Sequence, residues 1–268
     1  MWRKVIIFFF GPVWNFVSDL GKMTLFAGEV LREGLTGGLR FRLLIDQMYM
    51  VGVRSLSTTI VAGGFVGAIM AIQIHLQLKD FGATGFLGGL STSTTIRDIG
   101  PVLIAFILSG KVGAYTSAEL GTMRVTEQVD AIRCLGTDPI RYLILPRLIA
   151  VIISSFFLLI VGLMLTVAGG VLIAQVQLDV NYKSFITNIP RVVGWWSIGM
   201  GTVKSLVFGV IIAVVSCYRG YHTTNGAEGV GASVRKTAVE TLLWIITINF
   251  LISSVANVLY DMLGLGIL

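Results

Sequence analysis

Four charged residues stand within or at the start of long apolar stretches of this chain, and their side chains are the best placed to do chemistry. Arg97 and Asp98 are adjacent, while Lys111 and Lys204 each interrupt a separate apolar run. Inside a membrane an unpaired charge costs about 2.5–3.5 kcal/mol on insertion scales, so such residues usually face a cavity or a partner. A cationic side chain in such a place can bind a phosphate. We therefore expect binding rather than bond-making chemistry.

The sequence lacks the residue sets that enzymes and metal sites use. His75 and His222 are single histidines without ligand spacing, and Cys134 and Cys217 match no metal or redox motif. A phosphate-binding loop is also missing, because the Gly-Lys pair at 110–111 is followed by valine rather than Ser or Thr. We therefore expect no catalytic residue, no metal site and no cofactor in this chain. Any ATP must be bound by a partner protein.

The composition indicates that the charged residues belong to a membrane protein. Of the 268 residues, 55% are hydrophobic and 13% are charged, against about 25% charged in a typical soluble domain. The mean hydropathy is +0.87, and one soluble core could not bury that much apolar surface. Long unbroken apolar runs favour helices over a barrel, whose strands would alternate. The predicted fold class is an all-α integral membrane protein.

Five stretches are long enough to cross the hydrocarbon core, which needs about 20 apolar residues. We predict spans at roughly 55–78, 99–118, 148–174, 197–217 and 238–260. Before them lies a shorter apolar stretch, which Trp2 precedes and Trp14 follows and which Gly11-Pro12 interrupts. This pattern favours an N-terminal helix lying in the membrane interface over a cleaved signal peptide.

The distribution of Lys and Arg predicts the orientation. Residues 1–54, 119–147 and 218–236 together hold 14 of them, whereas 79–97 and 178–198 hold 4. Cytoplasmic segments carry the excess of basic residues. We therefore predict a cytoplasmic N-terminus and a C-terminus on the opposite, periplasmic side. The net charge of +6 is explained in this way, and no nucleic-acid partner is expected.

The segment 119–137, between the second and third spans, predicts an amphipathic helix of about 15 residues. Val125, Val129 and Ile132 fall on one helical stripe, and Gly136 is a suitable C-terminal stop. Charged residues flank the stripe, and two pairs of them, at 124/127 and 130/133, have the spacing of ion pairs. These charged residues are Glu119, Arg124, Glu127, Asp130 and Arg133. The residues alone leave two alternatives open: an interfacial helix that joins two spans, or a helix that docks into a cytoplasmic partner.

Several motifs together resemble the MlaE/YrbE family of ABC-transporter permeases. They are RDIGPVL at 97–103, SGKVG at 109–113, AELGTM at 118–123, TEQVDA at 126–131 and LGTDP at 135–139. In combination these motifs are specific, and a weaker resemblance extends from about Tyr49 to Tyr260. The resemblance implies one permease domain over 1–268. Within it, 1–48 is the interfacial or cytoplasmic segment and 49–262 the transmembrane permease.

The same resemblance implies the function and the partners. Family members form a homodimer in the bacterial inner membrane and transport phospholipid. Two cytoplasmic ABC ATPase subunits drive them, MCE proteins lie on the periplasmic side, and some members recruit a STAS-domain protein. The segment 119–137 would be the coupling helix that contacts the ATPase. The alternative is a membrane scaffold that anchors the ATPase and the MCE proteins without forming the lipid path.

Four residues are the candidates for a lipid cavity: Arg97, Asp98, Lys204 and Asn249. Asn249 stands where some family members carry an acidic residue. We therefore expect Lys204 to lack an acidic partner in the fifth span and to line a cavity, with extension of its side chain to the interface as the alternative.

Small residues recur at four-residue spacing in three of the predicted spans. They are Gly63 and Gly67, then Ala105, Ser109 and Gly113, and finally Gly201, Ser205 and Gly209. Such stripes let helices approach closely. They predict either packing within the chain or the contact between two copies.

Overall fold

The computed structural model describes residues 18–19, 21–33 and 41–262. These residues form helices and turns, and none of the described residues lies in a strand. Most of the predicted N-terminal interfacial segment, including Trp2 and Trp14, lies outside the described residues.

Within residues 18–19, 21–33 and 41–262, five continuous helices are long and apolar enough to cross a membrane, which confirms the five predicted spans. In chain order, the helices are α1 (21–33), α2 (Phe41–Asp80), α3 (Thr84–Val125), α4 (Gln128–Cys134), α5 (Ile140–Val176), α6 (Tyr182–Val192), α7 (Trp195–Tyr221) and α8 (Gly226–Met262). The spanning helices are α2, α3, α5, α7 and α8. Most of them extend well past the predicted spans: the helical backbone continues into less apolar sequence beyond the ends of the apolar run.

Three of the spanning helices contain π-helical turns. These are Tyr49–Val53 in α2, Thr95–Ile99 and Ser109–Gly113 in α3, and Ile140–Ile144 at the start of α5. A π-helical turn holds more residues than an α-helical turn and often marks a functional site. The two turns of α3 carry Arg97, Asp98 and Lys111, which are three of the four charges that interrupt the apolar runs.

The small-residue stripe at Gly63 and Gly67 packs α2 against α5 within the chain. A Cβ added at Gly63 would lie 2.7 Å from the carbonyl oxygen of Gly162, and one added at Gly67 would overlap the backbone of Thr166. Only glycine allows two backbones to come this close. Of the two alternatives for this stripe, the structure places it in internal packing.

The helices alternate in direction, so that their connections collect at two ends of the bundle. We call the end with residues 126–139 and 222–225 the basic end, and the end with 81–83 and 177–194 the opposite end. Left-handed residues make the tight reversals at both ends: Gly82 (φ 66°) follows α2, and Asn225 (φ 65°) precedes α8. Glycine and asparagine adopt this conformation at the least steric cost.

The helix α1 packs under the basic end of α7. Its one buried stripe consists of Met23, Phe26 and Val30, and the ring of Phe26 lies 5.6 Å from that of Tyr218. Arg219 adds an ion-pair network, because its guanidinium contacts the carboxylates of both Asp19 and Glu240. The described part of the N-terminal segment is therefore anchored to the bundle.

Candidate functional site

Lys204 is the centre of a polar cluster near the opposite end. Its side chain is completely buried (0% exposed). The Nζ atom donates hydrogen bonds to the carbonyl oxygen of Arg97 at 2.8 Å, to Oδ1 of Asp98 at 2.9 Å and to Oγ of Ser253 at 2.8 Å. An ammonium group has three N–H donors, so all three are used.

As expected, the fifth span supplies no acidic partner to Lys204, but the inference that the side chain is therefore unpaired is wrong, because Asp98 of another span pairs with it. The sequence argument looked for an acid in the fifth span, where position 249 is Asn. The structure supplies the acid from α3 instead, through Asp98, and α8 contributes only the hydroxyl of Ser253. A buried charge needs a partner of opposite sign, and here that partner lies about 100 residues away in the sequence.

The π-helical turn Thr95–Ile99 and a glycine of α7 create this arrangement. A Cβ added at Gly201 would lie 2.7 Å from the carbonyl oxygen of Ile96, so α7 contacts the turn at close range. Gly201 precedes Lys204 by one helical turn, which brings the ammonium group level with Arg97 and Asp98. The small residue at this position sets the contact between α3 and α7 inside the chain.

Arg97 and Asp98 are partly exposed, unlike Lys204. The exposed fractions of their side chains are 29% and 44%. Arg97 donates from Nη2 to Oδ1 of Asn257 at 2.5 Å, and its Cζ atom lies 5.7 Å from the centre of the Tyr260 ring. A cation over an aromatic face is held in place while part of it stays accessible. Arg97 is thus the accessible cation of the cluster.

The cluster contains three of the four predicted cavity residues and three that the sequence argument missed. Asn249 has no hydrogen bond to it, and the Oδ1 atom of Asn249 is buried without a partner among the described residues. Ser253, Asn257 and Tyr260 were missed. Their spacing was the available signal, because positions 249, 253, 257 and 260 form one polar stripe of a helix.

Lys111 joins α3 to α2. Its Nζ atom donates to the carbonyl oxygen of Arg54 at 2.8 Å and to Oγ1 of Thr58 at 2.6 Å. The ammonium group of Lys111 is therefore hydrogen-bonded to acceptors within the chain.

The predicted coupling helix is not one helix. Residues 119–125 belong to the end of α3, the chain then breaks at Thr126 and Glu127, and α4 follows. Glu127 has a left-handed backbone (φ 61°), which is uncommon for a residue other than glycine and costs of order 1–3 kcal/mol. The hydrophobic spacing did not reveal the break, because a single reversed residue leaves the side-chain pattern on either side intact.

The charges of this segment pair across the break. Arg124 contacts Asp130 at 2.7 Å rather than Glu127, and Asp130 lies 3.9 Å from Arg133. Arg133 also donates to the hydroxyl of Tyr221 at 3.2 Å, which connects α4 to the end of α7. Glu127 itself is exposed at the break. The result is a short, largely exposed helix at the basic end, tied to α3 and α7 by these contacts.

Glu119, the fifth charged residue of the segment, faces the bundle. Its Oε1 atom lies 2.8 Å from Nη2 of Arg147, whose side chain is only 3% exposed. Arg147 also donates from Nε to Oε1 of Gln47 at 3.3 Å. This buried ion pair therefore ties α2, α3 and α5 together where the segment leaves α3 and enters α5.

Comparison with known proteins identifies relatives over most of the chain. The family model described as Permease MlaE matches residues 44–255. A probable ABC transporter permease from Synechocystis is 39% identical over 226 residues, which is 84% of this chain and 86% of that protein. The intermembrane phospholipid transport system permease protein MlaE of Haemophilus influenzae is 30% identical over 253 residues, covering 90% and 97% of the two chains. The chloroplastic protein trigalactosyldiacylglycerol 1 of Arabidopsis thaliana is 33% identical over 242 residues, covering 90% and 68%.

Proposed function

Because this chain belongs to the MlaE family of ABC-transporter permeases, we propose that it is the membrane subunit through which phospholipid passes between the inner membrane and a periplasmic MCE partner. The chain is a transporter subunit, and five helices in the described part of it are long and apolar enough to span a membrane. In this proposal a separate cytoplasmic ATPase binds and hydrolyses ATP, and its closure biases the permease between two states. The name of the Haemophilus relative supports phospholipid as the cargo.

The observation that carries the proposal is the partly exposed Arg97 above a fully paired Lys204. A guanidinium group recognises phosphate oxygens with paired N–H donors. Asp98 and Lys204 hold the backbone on which Arg97 stands, so the accessible cation has a fixed position. We assign headgroup contact to Arg97 and a positioning role to Lys204.

At the basic end, α4 and the residues beside it are proposed to dock into the ATPase. The helix is short, most of its residues are exposed, and the contacts of Arg124 and Arg133 fix its orientation. Glu119 and Arg147 would transmit its movement to three spans at once. This assignment places the basic end in the cytoplasm, in agreement with the excess of Lys and Arg there.

A homodimer is part of the proposal. The helix α8 exposes an apolar stripe that includes Val239, Leu243, Ile246 and Phe250, with exposed fractions between 47% and 69%. These positions lie on one helical face. A second copy of the chain can cover this face and leave the cluster around Arg97 beside the contact, where lipid would be held.

Lipid analysis of the purified complex tests the proposal. We expect phospholipid to copurify with the permease, and Arg97→Gln to lower the bound amount about tenfold, as for the loss of a charge-assisted hydrogen bond. Arg191→Gln is the matched control, because Arg191 is an exposed arginine of α6 at the same end. Equal lipid content in the wild type and Arg97→Gln would contradict the role of Arg97.

The scaffold alternative makes a different prediction in the same experiment. A scaffold would assemble with its partners but bind no stoichiometric lipid. Transfer of lipid to acceptor vesicles would then be insensitive to Arg97→Gln, while ATPase copurification would be normal for every variant.

A further inference from the structure

Two cations meet on the side of the bundle where α2 runs beside α3. Lys111 lies in the π-helical turn Ser109–Gly113 of α3, and Arg54 directly follows the π-helical turn Tyr49–Val53 of α2. The Nζ atom of Lys111 reaches the carbonyl oxygen of Arg54 and the hydroxyl group of Thr58. Turns of this kind often mark functional sites, and here one turn from each helix brings a cation to the same place.

Both cations lie at the boundary between hydrocarbon and headgroups near the basic end. Arg54 directly precedes the first predicted span, 55–78, and Lys111 lies two helical turns before the end of the second, 99–118. Two turns of helix rise about 10 Å, and a lysine within a span extends its long side chain toward the interface. The hydrogen bond from Lys111 to the carbonyl oxygen of Arg54 has this direction. The ammonium group is therefore at the level of α2 from which the Arg54 side chain starts.

No acidic side chain in the described part of the chain neutralises either cation. The ion pairs among the described residues include neither Lys111 nor Arg54, and Glu119, the nearest acidic residue along α3, pairs with Arg147. Lys111 uses two of the three N–H donors of an ammonium group on described acceptors. Arg54 is exposed. One ammonium donor and an accessible guanidinium group are thus available to a ligand.

The surface beside the cations suits a lipid rather than a soluble ligand. Ser57 is exposed one helical turn from Arg54, and Tyr115, which is 36% exposed, lies one turn from Lys111. Tyrosine is enriched where membrane proteins meet the headgroups. Deeper along the same face of α2, two turns from Arg54, Val61 is 58% exposed. A phosphate group at the cations would therefore have an apolar surface beneath it for acyl chains.

We infer that Arg54 and Lys111 bind the phosphate group of an anionic phospholipid in the leaflet at the basic end. The guanidinium group and the remaining N–H of Lys111 donate to phosphate oxygens, and the acyl chains lie along α2 past Val61. This lipid is distinct from the cargo of the proposed function, because Lys111 is about 20 Å from Arg97 along α3. It stays with the protein and bridges α2 and α3, and its binding does not depend on transport.

Photocrosslinking at the headgroup level tests the site. A diazirine amino acid replaces Ser57 in the full-length chain, which is reconstituted in vesicles with equal amounts of anionic phosphatidylglycerol and zwitterionic phosphatidylcholine. Mass spectrometry counts the adducts of each lipid. Random contact gives the ratio of the bilayer, whereas the site enriches phosphatidylglycerol. Each basic side chain near anionic lipid contributes a factor of about five, so we expect Arg54→Gln to lower the enrichment about fivefold.

The chain offers matched controls. Arg54→Gln keeps the backbone carbonyl that Lys111 binds, so the contact between α2 and α3 survives in this variant. Lys111→Arg keeps a cation and should retain most of the enrichment. Arg42→Gln removes an exposed arginine of α2 that lies about 18 Å along the helix from Arg54, and it should have no effect. Arg97→Gln should also leave the enrichment unchanged.

Several results would overturn the site: no lipid adduct at position 57, adducts in the ratio of the bilayer, an enrichment that is independent of Arg54, or crosslinking of position 57 to a second copy of the chain. Inorganic phosphate, added at constant ionic strength, tests for a free anion. If it abolishes the enrichment, the cations bind soluble phosphate and the lipid site falls. The Arg97-dependent copurification of lipid is measured separately, so the proposed function can stand when this site falls.

Discussion

At the scale of single residues, Lys204 and Arg97 differ in their exposure and in the roles proposed for them. Both are cations within an apolar bundle, yet one is fully buried and the other is partly exposed. Lys204 uses all of its donors inside the chain, whereas the partly exposed Arg97 is the residue to which we assign headgroup contact in the proposed function. A substitution of either residue would impair binding, but for different reasons.

Stability measurements separate these two roles. Lys204→Met removes the donor to the carbonyl oxygen of Arg97 and to Oγ of Ser253, and it leaves Oδ1 of Asp98 only the longer hydrogen bond from Ser253 at 3.4 Å. We therefore expect a loss of about 1–3 kcal/mol in the free energy of unfolding. Lys204→Arg should not restore it, because a larger planar group must fit a fully packed site. Denaturant unfolding in detergent measures both. Arg97→Gln is the comparison variant. If Lys204→Met unfolds with the same free energy as the wild type, the buried contacts do not stabilise the bundle.

At the scale of helices and their connections, Glu119 and Arg147 form the joint between α3 and α5. Breaking a buried ion pair leaves an uncompensated charge and costs about 3–5 kcal/mol, whereas replacing both partners by apolar residues is often nearly neutral. The figure is an upper bound here, because Glu119 is 27% exposed. We expect Arg147→Met to lower the melting temperature strongly.

The double variant is the control for this joint. Arg147→Met with Glu119→Leu should recover much of the stability and, in a double-mutant cycle, yield a coupling energy well above the error of the method. If the double variant has normal stability but no longer couples ATP hydrolysis to lipid transfer, the pair acts in transmission as well as in folding. Additive losses in the cycle would mean that the two side chains do not interact.

The exposed short helix α4 leads to a second prediction at this scale. Glu127→Lys with Asp130→Lys replaces both acidic side chains of the proposed docking surface by cations and breaks the contact of Asp130 with Arg124. We expect the permease to insert in the membrane but to lose the ATPase on purification. Glu228→Lys is the control, since Glu228 is an exposed acid at the same end but outside α4. Normal ATPase copurification with the double variant would assign α4 to the membrane interface.

At the scale of the whole molecule, we predict that the basic end of the bundle faces the cytoplasm. The bias in Lys and Arg and the proposed ATPase contact both put the basic end inside. In a variant without Cys134 and Cys217, Met262→Cys should react with an impermeant thiol reagent in intact cells, and Glu228→Cys should be protected. Both positions are exposed in the structure. The reverse labelling pattern would invert the orientation.

The sequence by itself determined the membrane class, the five spans and the family. These properties depend on composition, on apolar runs of spanning length and on local motifs, all of which are readable along one chain segment at a time. The sequence also located the charged segment between the second and third spans and named Arg97, Asp98 and Lys204 as candidates.

Only the tertiary structure decided how these residues are paired and which of them stay partly exposed. Asp98 meets Lys204 because a π-helical turn rotates α3 and because Gly201 lets α7 approach it. The left-handed backbone at Glu127 likewise divides a segment whose side-chain spacing suggests one helix. Such outcomes depend on the rotation and separation of helices that are distant in the chain, and hydrophobic periodicity within a single helix carries no information about them.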